Sequence, residues 1–592
     1  MNYPYLGATF DDGGVRFRVV SPTATEMVVV LEDGSRYPLE KADAVTFETL
    51  VPDAQSGTRY RIEKDGTPMP DPASRFQPGG VHGPSEVIDP QAYSWSDEGW
   101  QGVPLSKLIF YELHVGTFTP EGTYRAAQEK LPYLKALGIN AVELLPLAAF
   151  PGERNWGYDP AAQYAPAHPY GHPDELRAFV DAAHAEGLAV YLDVVYNHFG
   201  PDGAYLVGFN PQTFTEHHHT PWGAAINLDD TGSEATRQYL LENAAMWLRE
   251  YHFDGFRLDA IFALIDDSPR HLLKELVGLT ADIAKGTFQR YLIAEDPRNF
   301  RDLALPQEAG GYGLDSVWAD DFHHQVRVNL AGDRHGYYGD FSGTPEDIAR
   351  TLEAGWFYTG QDSANQGAPR GTPTDGLNPE NFVICIQNHD QVGNRPRGNR
   401  LSDEIPLSAY RAASTLLLFA PQLPLLFQGQ EWATKTPFIY FTDHNADLGA
   451  LVSEGRKEEF KDFPDFAGDV PDPQDEASFV ASKLDWREKE EAEHAGILQL
   501  YKDLLELRPA LSGSIETLLA TDTGLVLKRG EHILYLALRE DTVLPLQGDF
   551  ETLLVSEGEP YALNGSAPNF EDDVVTFTTP GALIVRTEGT NA

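Results

Sequence analysis

The sequence holds a single cysteine, Cys385, among 592 residues. No disulfide can form within the chain, and the thiolate clusters that hold zinc or iron–sulfur centres are excluded. Basic residues are scarce: 44 Lys and Arg stand against 90 Asp and Glu, a formal net charge of −46. A surface of that sign repels phosphate backbones and anionic bilayers, which argues against nucleic acid and membrane as partners and suits a neutral ligand. Excess acid also serves simply to keep a protein dissolved. Long apolar runs are lacking too. The longest, SAYRAASTLLLFAPQLPLLF, is broken by Arg411, Pro421, Gln422 and Pro424, and reads as a core helix followed by a strand. The opening MNYPYLGATF has neither the basic leader nor the apolar stretch of a secretory signal, so a cytoplasmic protein is expected.

Aromatic residues are plentiful, with 9 Trp, 26 Tyr and 31 Phe, enough for large cores and for stacking on flat ligand faces. The length is too great for one ordinary core. Residues 1–90 read as short strands separated by turns: GVRFRVV, EMVVVLE and TRYRIEK, broken by DDGG, EDGS and KDG. Strands at that spacing predict an N-terminal β-sandwich; the stretch resembles carbohydrate-binding modules, with a purely structural domain or a part of the cleft wall as the open alternatives. A Pro- and Gly-rich passage, PMPDPASRFQPGGVHGPSEVIDP, follows as an ordered linker. From Lys107 the texture changes. KLIFYELHVG, INAVELLPL, LAVYLDVVYNHFG, FDGFRLDAI, YLIAED, GLDSVWADDF, NFVICIQNHD and PLLFQGQEW alternate with helical segments rich in Ala, Leu and charge. Eight such units predict a (β/α)8 TIM barrel over residues 91–510, an open doubly wound sheet being the structural alternative. GQDSANQGAPRGTPTDGLNPE and FPDFAGDVPDPQDE read as loop insertions near its mouth. Residues 511–592 return to short strands (GLVLKRG, HILYLALR, DVVTFTT, ALIVRTE) and predict an antiparallel C-terminal β-domain.

Several barrel strands begin apolar and end in reactive side chains: YLDVVYNH, FRLDA, LIAED and IQNHD. The C-terminal ends of all strands of such a barrel open at one face. Asp193, His198, Arg257, Asp259, Glu295, His389 and Asp390 would therefore ring one pocket. Any one of them could be an ordinary core or loop contact, but the whole set at one relative position points to a site. Carboxylates with an Arg and two His, and no nucleophilic Ser or Cys motif, suit acid–base and carboxylate-nucleophile chemistry. Retaining cleavage of a glycosidic bond needs one nucleophilic and one protonated carboxyl, about 5–5.5 Å apart. Arg257, two residues before Asp259 on the same strand face, favours its ionised form, which assigns Asp259 as nucleophile. Glu295, among apolar neighbours and like charges, is the candidate proton donor. Asp390 would be a third carboxylate that binds sugar hydroxyls.

DVVYNH, GFRLDA, the Glu of LIAED and the NHD of IQNHD resemble the four short signature regions of the α-amylase superfamily of glycoside hydrolases, in that family's order. The resemblance implies the same trio: Asp259 as nucleophile, Glu295 as acid/base and Asp390 as substrate-binding carboxylate. It also implies that His198, Arg257 and His389 support the sugar that is attacked, and that Tyr158 of NWGYDP stacks on it; an ordinary core aromatic is the plain alternative for Tyr158. Longer stretches, among them YELHVGTFTPEGTY, HHTPWGAAINLD, DDFHHQ, QNHDQVGNR and PFIYFTDH, resemble the branch of the superfamily that cuts the α-1,4 bond beside a terminal trehalose unit. That likeness runs over nearly the whole chain. It implies endo-hydrolysis of a neutral oligosaccharide, releasing trehalose and a malto-oligosaccharide, without a cofactor.

Other motifs carry less. EHHHT (Glu216 to Thr220) invites a metal but lacks partners at ligand spacing, so a loop is expected there. GGYGLDS precedes a strand rather than opening a helix and is no dinucleotide fingerprint. Asn197 sits where many α-amylases hold calcium, yet no matching carboxylate cluster accompanies it, and no metal is assigned. Two rival functions are a glycogen branching enzyme, which shares the carboxylate trio, and a non-catalytic glucan-binding barrel. DDFHHQ, FTDH and HHTPWG argue against the first, and the intact trio argues against the second.

Overall fold

The computed structural model describes residues 5–461, 470–571 and 573–587. Eight parallel strands close a barrel in chain order. They are β1 (Phe110–Leu113), β2 (Ala141–Leu144), β3 (Ala189–Val194), β4 (Gly255–Leu258), β5 (Tyr291–Ala294), β6 (Ser316–Trp318), β7 (Phe382–Cys385) and β8 (Leu423–Phe427). The expected closed barrel is therefore present, and not an open sheet. Closure is made where Phe110 of β1 pairs with Leu425 of β8. Successive side chains of a strand face opposite sides. Phe110, Ala141, Tyr191, Ile293, Trp318, Val383 and Leu425 accordingly fill the barrel interior. Their neighbours Tyr111, Val142, Val190, Phe256, Leu292, Val317, Ile384 and Leu426 turn outward to the helices.

The helix between β2 and β3, Pro173–Ala185, shows why such crossovers form. His172 accepts from the backbone of the first turn while Glu175 reaches back to the His172 N–H, a capping box. Leu176, Phe179, Val180 and Ala183 recur at helical spacing and are buried against the barrel. One glycine is dictated by close approach. Gly255 opens β4 at φ +147°, and a Cβ there would lie 1.8 Å from the carbonyl oxygen of Tyr291.

The N-terminal residues form two facing antiparallel sheets. Gly14–Val20 and Thr46–Val51 lie in one, Met27–Leu31 and Arg59–Lys64 in the other, and they enclose Phe17, Val29, Phe47, Tyr60 and Ile62. Buried Arg75 ties this region to the barrel through Glu250 at 3.1 Å. Near the C-terminus, a five-stranded and a three-stranded antiparallel sheet pack together. Glu557 there accepts two hydrogen bonds, of 2.8 and 2.5 Å, from Arg411 of the helix Leu407–Phe419.

Two expectations are corrected. EHHHT is not a loop: Phe214–Thr220 is a strand paired with Gly223–Ile226, and its alternation sends His218 toward Asp229 at 3.0 Å. GQDSANQGAPRG is likewise a hairpin, Thr359–Ser363 with Ala368–Gly371. Residues 462–469, which hold the FPDFAGD half of FPDFAGDVPDPQDE, lie outside the described residues. Among the described residues no helix is long and apolar enough to cross a membrane.

Candidate active site

Parallel register places the polar residues side by side. Asp193 of β3 lies opposite Arg257 of β4, and Leu258 lies opposite Ala294 of β5, so Asp259 and Glu295 follow as neighbours at the strand ends. Arg257 is fully buried. Its Nη1 donates to Asp193 Oδ2 and Asp259 Oδ1, each at 2.7 Å. Its Nη2 lies 3.0 Å from Glu295 Oε2, a charge contact without the alignment of a hydrogen bond. Burial disfavours the guanidinium charge, but Asp193 and Glu295 outweigh it and hold Arg257 firmly protonated. For Asp193, burial dominates and raises its pKa to about 6 against the pull of Arg257.

Asp259 is gripped from two sides. Asn197 Nδ2 donates to its Oδ2 and to its backbone oxygen, both at 2.8 Å. The chain then turns sharply: Ala260 adopts φ +40°, a left-handed conformation that non-glycine residues seldom take. That turn aims the Ala260 N–H at Glu295 Oε2, 2.7 Å away. Burial lifts the Glu295 pKa; Arg257 opposes this, Asp259 and Asp390 add to it, and the group rests at about 8. Glu295 is thus a protonated carboxyl at neutral pH, beside an Asp259 side chain that accepts hydrogen bonds from Arg257 and Asn197.

At the end of β7, Asn388 caps a short helix by accepting from Gln391 N at 2.8 Å, which presents His389 and Asp390. His389 is clamped by Glu112 of β1, whose oxygens accept from its backbone N (2.8 Å) and Nδ1 (2.5 Å). Burial would neutralise this imidazole, but Asp390 and Glu112 raise its pKa to about 10. Asp390 is half-buried, 3.5 Å from His389 Nε2. Tyr158 stacks on His389 at 5.1 Å and donates its hydroxyl to Asp193 at 2.5 Å. His198 Nε2 meets the backbone oxygen of Tyr158 at 2.8 Å, and its Nδ1 meets Asn197 Oδ1.

Tyr158, His198, Asp259, Glu295, His389 and Asp390 line one cavity of about 520 Å³. Asp193 and Arg257 are not among its lining residues; they touch the lining side chains Tyr158, Asp259 and Glu295. Sequence reasoning missed several residues. Glu112 and Glu143 each stand alone inside an apolar run, FYEL and AVEL, which was the available signal. Glu143 is buried with neither carboxyl oxygen hydrogen-bonded among the described residues, and burial, then Glu112 and Asp193, push its pKa far up, so it is a neutral acid. Trp222, at the tip of the His-rich hairpin, is half exposed and stacks on His198 at 5.0 Å; with Phe262 and Tyr440 it adds an aromatic wall. Among the described residues, His218 of the outer hairpin, Asp229 just after it and Asp267 of the segment after β4 are the set whose metal-ligand atoms come within 4.8 Å of one another. Asn197 spends its amide on Asp259 and His198 instead.

The family described as Alpha amylase, catalytic domain, matches residues 87–219. A malto-oligosyltrehalose trehalohydrolase of Deinococcus radiodurans is 51% identical over 510 residues, covering 85% of this chain and 82% of that protein. The chain belongs to the malto-oligosyltrehalose trehalohydrolases. A solved structure described as a putative alpha amylase from Salmonella typhimurium superposes with a TM-score of 0.88 at 37% identity, covering 98% of this chain and 99% of that one. The branching-enzyme alternative fares less well beside the trehalohydrolase match: a 1,4-alpha-glucan branching enzyme of Photobacterium profundum is 32% identical and covers 52% of this chain and 49% of its own length.

Proposed function

We infer that the protein is a retaining glycoside hydrolase that cuts the α-1,4 bond next to the terminal trehalose unit of a maltooligosyl trehalose. The observation that carries the retaining cleavage is the pair of carboxyls sharing Arg257: Asp259 at 2.7 Å and Glu295 at 3.0 Å from one guanidinium, with the Glu295 pKa at about 8. Glu295 gives its proton to the bridging oxygen while an Asp259 oxygen bonds to the anomeric carbon. The bond to the bridging oxygen breaks and trehalose leaves with that proton. Glu295, now ionised, takes a proton from water as the water oxygen bonds to the anomeric carbon; the bond from that carbon to Asp259 breaks and the malto-oligosaccharide is freed. Asp390 and His389 hold hydroxyls of the attacked sugar, and Tyr158 gives it a flat wall. His198 steadies Tyr158 through its backbone. The trehalose end of the substrate is assigned through family membership; the carboxyls alone support a retaining glucosidase. The absence of excess positive surface fits a neutral sugar, and an acidic chain with one buried thiol fits a cytoplasmic enzyme.

Incubation of the purified protein with maltotriosyltrehalose should release trehalose. Asp259→Ala should lower turnover by roughly four orders of magnitude or more while the circular dichroism spectrum is kept. If amylose gains α-1,6 branches and no trehalose appears, the protein is a transferase and the assignment fails.

A further inference from the structure

We propose that a groove adjoining the catalytic pocket is a remote sugar subsite, which holds glucose units of the malto-oligosaccharide arm far from the bond that breaks. The idea rests on the reading of the protein as a glucan hydrolase. A cavity of about 440 Å³ adjoins the catalytic pocket, and the two share Phe199 and Pro201 as a common wall. Beyond them the groove is bounded by His82 of the Pro- and Gly-rich linker, and by Asp202, Tyr205 and Val207 of the loop after β3.

The side chains are arranged in advance. His82 Nδ1 meets the Tyr205 hydroxyl at 2.9 Å, and its Nε2 lies 3.2 Å from Asp202 Oδ1. Asp202 Oδ2 also accepts from Asn445 Nδ2 at 3.1 Å. The Tyr205 ring packs partly against the N-terminal core, which fixes its plane, while Val207 is 37% exposed. A pyranose offers an apolar C–H face and a rim of hydroxyls. An anchored ring beside a carboxylate and an imidazole matches both, since an aromatic body supplies contact area and a few placed polar groups set orientation. Asp202 beside His82 leaves no surplus positive charge, so an anionic ligand is a poor match. None of these residues takes part in bond cleavage. Continuity with the pocket makes the arm of the same substrate the occupant.

The test has two arms. In the first, maltotriose and maltoheptaose are titrated calorimetrically into Glu295→Gln protein, with and without His82→Ala/Tyr205→Ala. The ratio of the two affinities should fall about tenfold in the altered protein, as expected when a ring contact and a hydrogen bond are lost. Val207→Glu, which puts charge into the groove without touching the packed ring, should reproduce the fall if the double change harms folding. In the second arm, KM for trehalose release is compared between short and long trehalose-capped chains. Preference for the long chain should shrink, through KM rather than kcat. An unchanged affinity ratio in both variants overturns the subsite, whatever the wild-type product. Wild-type protein that binds maltoheptaose length-dependently but frees no trehalose would instead refute the substrate assignment and leave the groove standing.

Discussion

Replacing Glu295 by Gln should stabilise the protein at neutral pH while it abolishes trehalose release. In the folded chain the Glu295 carboxyl is held near 8, against an ordinary value of 4.5. Between those values the native state binds a proton that the unfolded state has lost. Unfolding free energy therefore falls as pH rises: the contribution is fully present below 4.5 and is lost progressively up to about 8. From 4.5 to pH 7 the loss amounts to about 3 kcal/mol, at about 1.4 kcal/mol per unit. Glutamine keeps an oxygen for the Ala260 N–H but cannot ionise, so it escapes this loss. Urea unfolding of both proteins at pH 5 and pH 8 measures the effect as a difference of differences, in which every group common to both cancels. The advantage of the variant should grow by a few kcal/mol between the two pH values. An equal difference at pH 5 and pH 8 would falsify the claim that the fold holds a proton on Glu295, and with it the proton-donor role.

The same titration should appear in catalysis: kcat/KM for trehalose release should decline above about pH 8, where free enzyme loses the Glu295 proton. A profile flat to pH 9.5 would contradict it. Arg257→Lys keeps one charge but cannot span Asp193, Asp259 and Glu295 together, so kcat should fall by roughly a hundredfold or more with the fold retained. Glu143→Gln should be nearly silent, with kcat/KM at pH 7 within about twofold of the parent, because the native group is already neutral; a large loss would mean that its charge is in use.

Much of the fold was readable because its signals are local. Apolar runs such as LAVYLDVV and the helical spacing of Leu176, Phe179, Val180 and Ala183 are properties of short stretches. So was the convergence of Asp193, Arg257, Asp259 and Glu295, since parallel strands of one barrel bring like-placed ends together. What stayed hidden depends on contacts across the chain. Glu112 looks like a stray charge in FYEL until β7 brings His389 against it. Trp222 becomes a pocket wall only because Phe214–Thr220 and Gly223–Ile226 pair, and a run of three His masks that strand. Gly255 gave no hint of its role, which depends on the Tyr291 carbonyl from the next strand.

The left-handed turn at Ala260 has a mechanical consequence. Glu295 N bonds to the Leu258 carbonyl at 3.0 Å, and Ile261 N bonds to the Glu295 carbonyl at 3.1 Å, on either side of Asp259. The two cooperating carboxyls are thus mounted on a single short frame of backbone, although they lie on separate strands. Tolerances elsewhere in the barrel do not accumulate between them. The spacing of the two backbone anchors from which the carboxyls project is set like a gauge, by two hydrogen-bond lengths and one strand register.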